Sequence, residues 1–295
     1  MNLTIEDKNK LETFVSIFQL LKCWSSSVSI HFLHDKMTIQ IMDKSQICFT
    51  FIQFDKSWFS AYLSNEEKTT IQSTQLAILM NHALKHDILE IILEDGLDKI
   101  QFNCFEKDKY YENTIDSEEG HKSNTKDKKS KSNDLKHGKK DATQKKNNQY
   151  ISHFELLLLD VEEDEFTIPN IEYDVEFTLD SKKFSDILHE IEAFGDTIHI
   201  SASEDNLYFQ TTGDFGTIKI DYPIDNLEEY SISEGLTLSI HFSLSHLIRL
   251  CTSNKLNDCV TISLHETYPM SIKYTIDNDQ SYASFYIASK IVDDI

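Results

Sequence analysis

The chain has 295 residues, of which 40% are hydrophobic and 11% aromatic. That is enough apolar material for one large domain or two ordinary ones, and it excludes global disorder. The net charge of −22 and the single arginine, Arg249, exclude a uniformly basic nucleic-acid binder and guanine readout by paired arginines, so any DNA contact must gather its cations in one place.

In chain order, Phe14, Ile17, Phe18 and Leu21 have the i, i+3, i+4, i+7 spacing of an amphipathic helix. Val28 and Ile30, then Met37 and Ile39, alternate as strands around the polar turn at His34 to Lys36. A second helix is expected to end near Asp87. The strand Ile88–Leu93 follows it, with further strand residues at Ile100 and Phe102. From Glu118 to Asn148 the chain is rich in Lys, Asn, Ser and Asp and nearly free of large apolar groups, so disorder is expected there. Between His121 and Asn147 ten Lys stand against three Asp, which makes this the one strongly basic stretch. The stretch fits electrostatic steering towards DNA, a nuclear-import signal at Lys126–Lys131 or Lys139–Lys140, or neutral insertion.

An apolar strand, Tyr150–Leu157, comes next. It runs into Leu156–Pro169, where four leucines give way to acidic residues, then to Phe166, Ile168 and a proline. Apolar side chains held at the surface by acidic neighbours suggest a docking segment.

Beyond it the first half recurs. At an offset of 170, Phe184, Ile187, Leu188 and Ile191 fall on the first helix, and Ile198, Ile200, Leu207 and Phe209 on the first strands. At 171, Cys259–Leu264 falls on Ile88–Leu93, and at 172, Ile272 and Tyr274 fall on Ile100 and Phe102. A helix–strands–helix–strands unit present twice predicts an α+β fold, with antiparallel sheets and helices on one face. The expected organisation is a first domain over 1–154 (with the insert at about 118–149), a connecting loop over 155–172, and a second domain over 173–295. The five cysteines form no CxxC pair and read as reduced thiols in a reducing compartment. The beginning of the sequence carries no secretory pattern, and no apolar run approaches the roughly 18 residues of a membrane span, so a soluble intracellular protein is expected.

Several local patterns resemble the sliding clamps of the proliferating cell nuclear antigen (PCNA) family. They are Gln40-Ile-Met-Asp43, Leu159-Asp-Val-Glu162 with Ile168-Pro169, Phe194-Gly-Asp196, Tyr268-Pro269 and Phe285-Tyr-Ile-Ala-Ser-Lys-Ile291. Together they span nearly the whole chain apart from the Lys-rich insert. The resemblance implies duplicated clamp domains, a homotrimeric ring around double-stranded DNA, and a processivity role without catalysis or cofactor. It also implies nuclear localisation (or a viral replication compartment) and, as partners, a DNA polymerase, other proteins with clamp-interacting peptides, and a clamp loader. By residue-to-residue match it assigns a partner-peptide groove to Met42, Gln46, Ile47, Phe166, Ile168, Pro269, Tyr286 and Ala288. It assigns the subunit interface to Tyr150, Phe154, Phe215, Ile218 and Ile220, through pairing of Tyr150–Leu157 with Gly216–Tyr222 of the next copy. It assigns DNA-facing roles to Lys8, Lys10, Lys22, Lys85, Lys182, Lys183, Arg249 and Lys255.

The chain departs from the family at Ser289, where proline is usual. It also departs at Ala77, Met80, Asp186 and His189, where the family carries basic residues. The depleted lining keeps alternatives open: a subunit of a heterotrimer, a monomeric or dimeric viral processivity factor, or an interaction scaffold. No paired His, Gly-rich phosphate loop or nucleophile constellation supports an enzyme or a metal site.

Overall fold

The structure, a computed structural model, describes residues 1–107, 151–161, 166–250 and 256–291. The expected Lys-rich insert and the site residues Tyr150 and Lys255 lie outside them.

The described elements follow one order twice. The first half runs β1 (Asn2–Ile5), α1 (Lys8–Leu21), β2 (Ser27–Phe32), β3 (Lys36–Met42), β4 (Cys48–Asp55), β5 (Ala61–Leu63), β6 (Glu67–Gln72), α2 (Ser73–Ala83), β7 (Ile88–Leu93), β8 (Lys99–Phe105) and β9 (Ser152–Leu157). The second runs β10 (Val175–Asp180), α3 (Ser181–Glu192), β11 (Thr197–Ser203), β12 (Leu207–Gly213), β13 (Gly216–Tyr222), β14 (Glu229–Ile232), β15 (Thr237–Ser243), α4 (Leu244–Leu250), β16 (Cys259–Leu264), β17 (Met270–Thr275) and β18 (Tyr282–Ile287). Each half places a short 3₁₀ turn, Lys56–Trp58 or Ile224–Asn226, before its fifth strand.

The same local chemistry starts the long helix in each half. Asp7 caps α1 by accepting the Lys10 amide at 3.0 Å, and Asp180 caps α3 by accepting the Lys183 amide at 2.7 Å. Such a cap satisfies an amide that the first turn leaves without a helical partner. The periodic residues behave as their spacing predicts: Phe14, Ile17, Phe18 and Leu21 are buried in α1, and Phe184, Ile187, Leu188 and Ile191 in α3. Each fully buried Phe or Leu contributes about 1.5–3 kcal/mol of hydrophobic stabilisation.

The strands pair antiparallel throughout. A five-stranded sheet has the order β5-β1-β7-β8-β9, and a four-stranded sheet has the order β13-β12-β11-β15. Between them a nine-stranded sheet, β14-β10-β16-β17-β18-β4-β3-β2-β6, crosses from one half to the other where β18 meets β4. That joint runs in register from Tyr282 opposite Gln53 to Ile287 opposite Cys48.

One boundary differs from the expectation. Helix α2 ends at Ala83, short of Asp87, because Leu84 to His86 turn back on its last carbonyls. The four-leucine run does not stay in one strand. Pairing ends at Leu157, after which the Leu158 amide donates to Asp98 O and the Leu159 amide to Thr70 O, leading the chain over the edge strand β6.

Candidate functional site

Strand β4 alternates strictly. Cys48, Thr50, Ile52 and Phe54 are buried, and Phe54 packs 5.5 Å from Phe14 of α1, so Phe49, Phe51 and Gln53 point to the opposite face, away from the helix. Beside them stand Tyr282 and Tyr286 of β18 and Gln40 and Met42 of β3. Phe51 and Tyr282 lie 5.9 Å apart, centroid to centroid, and Phe49 and Tyr286 6.0 Å apart. An aromatic face of this kind is costly in water unless something covers part of it.

The connecting segment covers part of it. The Phe166 amide donates to Gln40 Oε1 at 3.0 Å, and the Phe166 ring sits 5.2 Å from Phe49. Farther on, the Tyr173 hydroxyl donates to Pro269 O at 3.3 Å. Between segment and sheet lies a cleft of about 480 Å³, whose walls include Gln40, Phe51, Phe166, Ile168, Tyr282 and Tyr286. Phe166 remains 39% exposed, so its ring is a wall open to solvent. Burial pushes the hydroxyl of Tyr173 up to about 12 and raises those of Tyr282 and Tyr286, so all three are neutral hydrogen-bond donors at neutral pH.

Of the groove residues expected from sequence, Phe166, Ile168 and Tyr286 line this cleft, and Pro269 anchors Tyr173 at its margin. Met42, Gln46, Ile47 and Ala288 lie at the far end of the aromatic face, where the Ala288 amide donates to Ile47 O at 3.0 Å. Sequence reasoning missed Phe49, Phe51, Tyr282 and Gln40. The signal was present as alternation: a strand with aromatic groups on both faces carries more apolar surface than one core can bury.

The turn between β3 and β4 is built on Asp43, a 5% exposed carboxylate. Its Oδ1 accepts the amides of Ile47 and Cys48, both at 2.8 Å, and its Oδ2 accepts the Ser45 hydroxyl. Burial alone would raise its pKa. The hydrogen bonds from Ser45, Cys48 and Ile47 outweigh burial and hold the carboxyl below its ordinary value. Oδ2 also lies 3.4 Å from His246 Nε2 on α4, which ties the first half to the second. Gln46 follows with φ 57°, a left-handed conformation that lets the turn close.

The proposed interface residues lie on sheet edges. Among the described residues, β9 and β13 each pair on one side only. Phe154 is half-buried, with its ring 5.9 Å from His82, Ile218 and Ile220 are half-buried, and Phe215 at the β12–β13 turn is 93% exposed.

The expected DNA-facing residues divide. Lys8 Nζ donates to the carbonyls of Leu84 and His86. Lys10 Nζ donates to Trp58 O at 2.9 Å and lies 3.4 Å from Asp277. Both are committed within the fold. Lys22, Lys85, Lys182, Lys183 and Arg249 are exposed. Among the described residues no group of three or more His, Cys, Asp or Glu could hold a metal ion, and no helix is long and apolar enough to cross a membrane.

Comparison with known proteins bears on this arrangement directly. Residues 167–290 match the family model for the proliferating cell nuclear antigen C-terminal domain. A proliferating cell nuclear antigen from Chaetomium thermophilum is 30% identical over 152 residues, covering 49% of this chain and 57% of that protein. DNA polymerase sliding clamp 2 from Sulfolobus acidocaldarius is 24% identical over 282 residues, covering 94% of this chain and 95% of that protein. The chain is thus similar to sliding clamps of the PCNA family, by the family model over residues 167–290 and by the second relative over nearly its whole length. Its repeated α+β order and antiparallel sheets are consistent with the duplicated clamp fold.

Proposed function

We propose that this chain is a non-enzymatic sliding clamp of the PCNA family that closes into a homotrimeric ring around duplex DNA. It tethers a polymerase and other proteins through short peptides that insert beneath the connecting segment. In this reading residues 1–154 and 173–295 are the two clamp domains, 155–172 is the connecting loop, a clamp loader opens the ring, and the site of action is the nucleus.

The joint between β18 and β4 carries the homotrimer. β9 holds the same place in the first half that β18 holds in the second, and β13 corresponds to β4. Carrying the observed β18–β4 register over to β9 of one copy and β13 of the next sets Phe154 opposite Ile220 and Leu156 opposite Ile218. The same register sets Glu155 opposite Lys219 and His153 opposite Asp221. Apolar residues meet on one face, and a Glu–Lys pair meets on the other, so the chain's own two edges complement each other. This favours identical subunits over a mixed ring. Unpaired apolar edges of this kind would otherwise promote aggregation.

Solution mass tests the proposal. Light scattering should give three times the chain mass of 34.2 kDa, and polymerase synthesis on primed circular DNA should become more processive. A stable monomer at micromolar concentration overturns the ring.

A further inference from the structure

A second cleft, of about 510 Å³, lies at the seam between the halves, on the other side of the Asp43 turn from the aromatic face. Its walls include Lys22 beyond the end of α1, Lys44 on the β3–β4 turn and Arg249 in the last turn of α4, together with the Trp24 indole. The three cations are exposed, and the Arg249 guanidinium stands 5.9 Å from the Trp24 ring. The one carboxylate in the wall, Asp43, is buried and already bonded to Ser45, Ile47 and Cys48. Trp24, itself 3% exposed, carries an indole N–H with no hydrogen-bond partner among the described residues. The hydroxyls of Ser45 and Thr74 complete a wall dominated by donors and positive charge.

The rest of the helical layer offers little that competes. Lys8 and Lys10 are held by carbonyls. Lys182 and Lys183 begin α3, but Asp186, Glu190 and Glu192 are exposed on the same helix. In a chain of net charge −22, long-range attraction for a polyanion must come from a local concentration of cations.

We propose that the seam cleft is the main phosphodiester contact of each subunit, so that duplex DNA is held at one focused place per chain rather than along all the helices. The proposal rests on the ring reading. It assigns Lys44, which the family resemblance did not mark, together with Lys22 and Arg249.

The test uses the full chain in a Trp58→Phe background, so that Trp24 emission reports on the cleft. Inorganic phosphate and a labelled short duplex are titrated separately at low salt. Both should shift Trp24 emission. The Lys44→Gln/Arg249→Gln variant should lose about tenfold in duplex affinity, and its salt slope should shrink by about 0.9 per lost phosphate contact. A Lys182→Gln/Lys183→Gln variant should change by less than about twofold. Unchanged thermal melting and mass show that each variant stays folded and assembled. Duplex binding with silent Trp24 emission, or an equal loss in the α3 variant, overturns the cleft and leaves the ring standing. Phosphate seated in the cleft with no duplex bound by any form overturns both.

Discussion

Asp43 shows how one carboxylate supports two surfaces. Its amide bonds shape the turn that carries Met42, Gln46 and Ile47, and its 3.4 Å approach to His246 draws α4 against that turn. Asp43→Asn removes the charge from these bonds and should cost about 1–3 kcal/mol in denaturant unfolding. The folded-state pKa lies below the ordinary carboxylate value, so the carboxylate's contribution is complete above that ordinary value and is lost as pH falls through the lower folded value. The variant should therefore lose part of the wild type's acid-induced destabilisation; identical acid profiles would contradict this role. At the groove, Phe166→Ser with Ile168→Ser should abolish peptide capture while leaving assembly unchanged, and Phe49→Ala should weaken it by removing the ring behind Phe166. Fluorescence anisotropy with a labelled clamp-interacting peptide distinguishes these outcomes. Phe166 and Ile168 were legible because acidic neighbours hold an apolar pair at the surface. Phe49 was not, because nothing in its local sequence shows which face of β4 meets the helices.

At the scale of elements, the repeat was readable because the period-3.6 and period-2 patterns recur at nearly fixed offsets. The strands Ile88–Leu93, Cys259–Leu264 and Gly216–Tyr222 have the bounds expected from sequence. The fate of Lys8 and Lys10 was hidden, since the carbonyls that hold them belong to Leu84, His86 and Trp58, far along the chain. The register proposed for β9 against β13 can be tested by exchanging charges. Lys219→Glu alone places like charges opposite each other and should raise the trimer dissociation constant, since a cross-strand pair is worth about 0.2–1 kcal/mol and recurs at every joint. Adding Glu155→Lys should restore assembly in sedimentation velocity. No rescue by the double variant would rule out this register.

At the scale of the molecule, net charge opposes both assembly and DNA. Chains of −22 repel one another, so moderate salt should strengthen the trimer by screening that repulsion, while weakening the contact with duplex. Sedimentation equilibrium and duplex anisotropy over the same salt series should therefore move in opposite directions; parallel trends would mean that charge does not govern assembly.

The β18–β4 joint sets the order in which such an assembly comes apart. Its two strands belong to one polypeptide, so each meets the other at a high effective concentration that dilution cannot lower. A β9–β13 joint between copies has no such tether. Dilution should therefore release whole chains with the nine-stranded sheet intact, so that any gap that admits DNA opens between subunits and never within one.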